Sequence, residues 1–143
     1  MTLEPRHSPV VPSYGSATLA DLSSSVLASL DPGSPDAQNV LGLAPAQRAC
    51  LLIVDGLGWE LLRDHPAAAP FLSELARNSK PITAGFPSTT VTSLGSICTG
   101  RPPGQHGMLG YQVIIPGENR LLNGLRWDSR VDTLQWQPLP TLY

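Results

Sequence analysis

The run ACLLIVDGLG at residues 49–58 constrains the fold more than any other stretch. Its apolar residues, Cys50 to Val54, follow one another without polar alternation and end on Asp55 and Gly56. An unbroken apolar segment of strand length is the pattern of a strand covered on both faces, as in the centre of a parallel sheet. The Asp-Gly pair predicts a tight turn at its carboxyl end.

Neighbouring patterns extend this to a layered α/β domain. Leu19, Leu22, Val26 and Leu30 recur at three- and four-residue spacing. They predict an amphipathic helix of about 14 residues, starting near Ser16 or Thr18 and stopping before the DPGSP turn. After the strand, WELLRDH and AAPFLSELARNS read as helices, the second with Phe71, Leu72 and Leu75 on one side and Pro70 near its start. KPITAGF is a second candidate strand. Ser88 to Thr99 reads as a helix stopped by Gly100 and Pro102-Pro103, and YQVIIPGENRLLNGLRW as a hairpin or a pair of short strands around PGEN. Strand, helix, strand, helix predicts an α/β/α arrangement over 16–143 with a parallel sheet, preceded by a loose lead-in at 1–15. Only two strands suit that sheet, so the chain reads as the front portion of a larger domain, incomplete at its C-terminus. Its uncovered sheet edge would favour association.

Composition narrows the partners. Of the 143 residues, 41% are hydrophobic and 14% charged; the average charged share is about 25%, so a disordered polyelectrolyte is excluded. A net charge of −2 gives no electrostatic reason to expect nucleic acid or an anionic membrane. Cys50 and Cys98 lack metal-type spacing and sit in apolar contexts, which predicts two buried thiols. No signal peptide and no apolar run of about 18–20 residues is visible, so a soluble cytoplasmic protein is expected.

Two features carry chemistry. Asp55 ends the strand where open α/β sheets bind ligands, and it reads equally well as a functional carboxylate or as a cap for the helix near Trp59. Ser88, Thr89, Thr90, Thr92 and Ser93 crowd the start of the next helix. Hydroxyls there serve as caps, but a helix mouth also suits phosphate, and a hydroxyl activated by a divalent metal could attack phosphorus. Asp55 is a suitable hard-oxygen ligand for such a metal.

LLIVDGLGWELL followed by FPSTTVTSLGSICTGRPPGQHGMLGY resembles the amino-terminal part of the alkaline phosphatase superfamily, in its type I phosphodiesterase and nucleotide pyrophosphatase branch. The shared features are an apolar strand ending in V-D-G, then a nucleophile helix closing with T-G-x-x-P-x-x-H-G, over about residues 49 to 111. The resemblance implies that Asp55 is the first aspartate of a paired metal site. It places the nucleophile nine residues before Thr99, at Thr90, with Thr89 as the competitor one residue away. Ser88 then falls in the N-cap region, with Thr92 and Ser93 in the first turn. Also implied are two divalent ions, usually zinc, a covalent threonine intermediate, and a small-molecule phosphodiester or nucleotide pyrophosphate substrate. Monoesterases, phosphonate hydrolases, sulfatases and phosphomutases share these front motifs.

Relatives complete both metal sites with further Asp and His residues, which this chain does not supply. His7 lies in the lead-in, His65 ends a helix, and His106 belongs to the QHG turn. Asp64, Asp128 and Asp132 read as surface or turn residues, Arg101 as a cation at the far end of the nucleophile helix, and Trp59, Trp127 and Trp136 as packing. Two expectations follow: a metal-dependent phosphoric-ester hydrolase in the complete protein, or a non-catalytic fragment lacking the remaining ligands.

Overall fold

A computed structural model of the chain describes residues 10–35, 37–115, 117 and 119–126. The Leu19 pattern begins with a 3₁₀ turn, Leu19–Asp21, and continues as α1, Leu22–Leu30. Thr18 and Asp21 set its start. One carboxylate oxygen of Asp21 accepts from the Thr18 amide and from Thr18 Oγ1, both at 2.8 Å, and the other accepts from the Gly15 amide at 3.1 Å. This is a capping box with Asp in the place usually held by Glu or Gln.

The buried face of this helix differs from the expected one. Asp21, Ser25 and Ser29, at four-residue spacing, are buried, while Leu27 and Leu30 are each 41% exposed. Small hydroxyl side chains form this face because the chain at 38–46 lies over it. Ser25 Oγ donates to the Gln38 carbonyl and accepts from the Leu41 amide, and the Ala46 amide donates to the Ser29 carbonyl. Ser23 Oγ donates to the Ile97 carbonyl, joining α1 to the later helix. Leu19 and Leu22 instead border an open groove.

Helices α2, Trp59–Asp64, and α3, Pro70–Arg77, follow as expected and pack together, with Pro70 at the first position of α3. Their ion pairs, Arg63–Glu60 and Arg77–Glu74, are exposed and contribute little. Phe71 is 73% exposed, so the expected apolar side of α3 is not wholly covered. Helix α4, Thr90–Thr99, ends at Gly100 in the left-handed conformation, φ 66°, a geometry that glycine adopts without steric cost. The short α5, Pro103–His106, packs back on α4. The hairpin forms β1, Gln112–Ile114, antiparallel to β2, Leu121–Asn123, with Val113 opposite Leu122.

Among the described residues this hairpin is the sole sheet. Neither expected parallel strand forms a ladder. KPITAGF makes an isolated parallel bridge, Thr83 to Thr18, through two backbone bonds of 2.9 and 3.0 Å. Residues 50–54 have no strand partner among the described residues, and Leu51, Leu52, Ile53 and Val54 are 48–74% exposed. A strand is defined by what its neighbours donate and accept, and none of the described residues pairs with this one. The same uncovering corrects the expectation of buried thiols. Cys50 opens the exposed run, and Cys98 lies on the side of α4 away from Thr92 and Ser96; both are exposed. The described apolar core is accordingly small: Ala20, Val91, Ile97 and Ile115. Two of the four, Val91 and Ile97, lie on α4, which packs against α1, α5 and the chain after β2.

Candidate functional site

Asp55 reaches the site because the chain reverses directly behind it. Gly56 has φ 76° and the Leu57 amide donates to the Val54 carbonyl at 3.4 Å, so the carboxylate stands at the tip of a turn. The cap of α2 is Gly58, without a side-chain bond. The capping alternative for Asp55 is therefore not realised. Its Oδ2 instead accepts from Thr90 Oγ1 at 3.1 Å, across a sequence separation of 35 residues.

Thr90 is the first residue of α4, and the residue before it is the cap. Thr89 has extended backbone angles, φ −86° and ψ 156°, and its Oγ1 accepts from the Thr92 amide at 3.3 Å. Thr89 Oγ1 donates in turn to Thr92 Oγ1 at 2.9 Å. Both functions of the Thr89 hydroxyl are thus engaged within the helix start. Ser88, expected in the cap region, is exposed and caps nothing; it borders the groove beside Thr90 and Ser93. The two neighbouring threonines divide the work: one closes the helix, the other faces the carboxylate.

Helix geometry adds a second polar feature. The Thr92 amide goes to the cap and the Ser93 amide to the Thr89 carbonyl at 2.9 Å. The amides of Thr90 and Val91 have no acceptor within the helix and project ahead of it. An anion placed near Thr90 meets these donors and the positive end of the helix dipole. The groove, of about 930 Å³, opens beside them, with Leu51 to Val54 on one wall, Leu72 and Leu75 on another, and Leu94 and Ile97 on α4. Trp59 also lines it.

The other titratable candidates lie elsewhere. His65 and Asp64 are exposed at the end of α2, and Arg101 follows the opposite end of α4 from Thr90. Asp128, Asp132, Trp127, Trp136 and His7 lie outside the described residues. His106 is 3% exposed. Its Nδ1 accepts from the Met108 amide at 3.1 Å, which places the ring proton on Nε2, and Nε2 donates to Ser96 Oγ at 3.1 Å. Gly95 makes room for the ring: a Cβ there would stand 2.8 Å from His106 Cε1.

Burial holds the His106 imidazole below its usual range, a loss of solvation that outweighs the backbone hydrogen bonds acting the other way. The unfolded chain then binds a proton that the folded chain does not. Stability is full above the unfolded value near 6.5 and falls as pH drops from there through the lower folded value. Urea midpoints measured from pH 8 to pH 5 are expected to decline below about 6.5, and the His106 ring signals to titrate below that of free histidine. A flat profile with a normal His106 titration would contradict the buried neutral ring.

Asp55 and Thr90 supply hard-oxygen donors that suit a divalent cation. Among the described residues, no group of three or more His, Cys, Asp or Glu side chains could hold one. Two oxygens are one corner of a site, against the four ligands zinc usually takes. No helix of the described residues is long and apolar enough to cross a membrane. The sequence model of the type I phosphodiesterase / nucleotide pyrophosphatase family matches residues 49–143, well over half of the chain. Comparison with curated proteins and with solved structures returns no match.

Proposed function

The chain belongs to the type I phosphodiesterase / nucleotide pyrophosphatase family, and from that premise we propose that Thr90 is the nucleophile of a phosphoric-ester hydrolase in the complete protein. The family is alkaline-phosphatase-like and generally metal-dependent. The observation that carries the proposal is the 3.1 Å contact between Thr90 Oγ1 and Asp55 Oδ2. It joins the tip of the apolar run to the mouth of α4, from two motifs far apart in sequence.

In this reading, Thr90 Oγ attacks phosphorus, a P–O bond to Thr90 forms and the bond to the leaving-group oxygen breaks. Water then cleaves the threonine ester, releasing the phosphate product and restoring the hydroxyl. The amides of Thr90 and Val91 orient the phosphoryl oxygens and stabilise their developing charge. A deprotonated Thr90 beside the Asp55 carboxylate is a like-charge contact, so the pair calls for a cation between them. Two divalent ions, zinc in our reading, would supply that neutralisation when bound, with further ligands from outside the described residues. The substrates are small phosphodiesters or nucleotide pyrophosphates, and the run at 50–54 is the central strand of a parallel α/β/α sheet. We place the protein in the cytoplasm.

One observation favours a second reading for these 143 residues alone. Among the described residues just two oxygen donors converge, and in this reading the 143 residues are a non-catalytic piece that keeps the crevice without holding its metals. Calorimetry separates the two. Zinc is expected to bind the 143-residue chain weakly, and the complete protein to hydrolyse a nitrophenyl diester in a chelator-sensitive way. Tight stoichiometric zinc with turnover by the 143-residue chain would overturn the second reading. A complete protein indifferent to chelation would overturn the first.

A further inference from the structure

The side chain of Thr92 is completely buried, yet it is polar, and its hydroxyl both donates and accepts a hydrogen bond. Its Oγ1 donates to the Met108 carbonyl at 2.9 Å and accepts from Thr89 Oγ1 at 2.9 Å. Met108 is itself held, its amide donating to His106 Nδ1, while His106 Nε2 donates to Ser96 Oγ one turn further along α4. Ser96, His106, Met108, Thr92 and Thr89 thus make a continuous chain of bonds, and it ends on the residue preceding Thr90. From this geometry we infer that Thr92 is a positioning residue: it fixes the first turn of α4 against the 106–108 turn and so aims Thr90 at Asp55.

The physical need is specific to Thr90. First turns of helices fray, because their leading amides lack intrahelical partners. α4 has no acidic residue in its first turn to hold it by charge. The cap on Thr89 secures the amide of Thr92, but a cap by itself leaves the turn free to rotate as a unit. The bond from Thr92 Oγ1 to Met108 ties that turn to a part of the chain outside the helix. Displacement of about 1 Å at a reacting group can cost on the order of 10²-fold in rate.

The inference rests on the proposed hydrolase, and its test keeps the two apart. Thr92→Val retains shape but removes the hydroxyl; Thr92→Ser retains the hydroxyl. In the complete protein, Thr92→Val is expected to lower kcat by about 10- to 100-fold with KM changed less than about threefold, and Thr92→Ser to restore kcat to within about threefold. In the 143-residue chain, methyl-labelled threonine NMR should show Thr90 close to Asp55 and Gly56 in the unmodified protein and in Thr92→Ser. Thr92→Val should lose that proximity and the slow exchange of the Ser93 amide, with the signals of the hairpin unchanged. If Thr92→Val does not fold, Thr89→Val cuts the same chain one link nearer Thr90 and should give the same loss. Unchanged Thr90–Asp55 proximity in the folded hydroxyl-free variants overturns the inference. Loss of proximity in those variants, with no turnover in any protein, sustains the inference and sinks the hydrolase instead.

Discussion

Thr90→Ala in the metal-loaded complete protein is expected to reduce diester turnover by 10⁴-fold or more, roughly the scale on which nucleophile deletions act. Thr89→Ala should cost about tenfold. The difference follows from what each hydroxyl does. Thr89 Oγ1 accepts from the Thr92 amide and donates to Thr92 Oγ1, so its removal loosens a helix start worth about 1 kcal/mol. Thr90 Oγ1 faces a carboxylate in the open groove and has no capping duty, so its removal should scarcely move the urea midpoint. Activity and stability therefore separate the two residues in opposite directions: Thr90→Ala is stable and inactive, Thr89→Ala less stable and active. Phosphate trapped on the protein during turnover should map to Thr90. Full activity in Thr90→Ala, or a silent Thr89→Ala protein with ordinary stability, would move the nucleophile to its neighbour.

That assignment shows where the sequence stops being informative. Both threonines sit at the helix mouth, and residue type does not tell a cap from a free hydroxyl. Backbone angles do, and they depend on the entry path of the chain after Pro87. Local signals were otherwise readable. Pro70 at the start of α3, Gly100 at the end of α4 and the antiparallel pairing of β1 with β2 stand where sequence reasoning puts them, because each depends on nearby residues. Two features were not readable. The buried stripe of α1 is Asp21, Ser25 and Ser29, and a search for apolar periodicity passes over a face made of hydroxyls and a carboxylate. Its signal was the Thr18–Asp21 capping spacing, which marks a fixed helix start but not a buried one. The Thr92–Met108–His106 chain joins residues brought together by the α4–α5 reversal, and no local pattern marks that. The apolar run at 50–54 reads as strand material but forms no strand among the described residues, because pairing depends on distant segments.

The exposed run carries the second large expectation: the 143-residue chain self-associates at concentrations on the order of 100 µM, and charges placed in the run disperse it. Leu52 is 74% exposed, and Leu51, Ile53 and Val54 are about half exposed. Fully burying an aliphatic side chain of this size stabilises by about 1.5–3 kcal/mol, so covering half or more of four of them is worth about 3–6 kcal/mol. The backbone groups of the run have no strand partner among the described residues, and, apart from the Val54 carbonyl that accepts from the Leu57 amide, they offer an edge for a second copy. A net charge of −2 gives little electrostatic opposition. Replacing Leu52 and Val54 together by Lys removes about half of that apolar gain and places like charges opposite one another in a paired edge. The apparent dissociation constant should rise by on the order of 10²-fold, read by sedimentation, since each 1.4 kcal/mol is tenfold. The same double variant should lower binding of an apolar fluorescent dye and leave the His106 and hairpin signals in place. A chain that sediments as a monomer near 100 µM (on the scale where about 5.5 kcal/mol of association would show) and does not bind the dye would mean that the run is covered in solution. The groove beside Asp55 and Thr90 would then have a different shape from the one described.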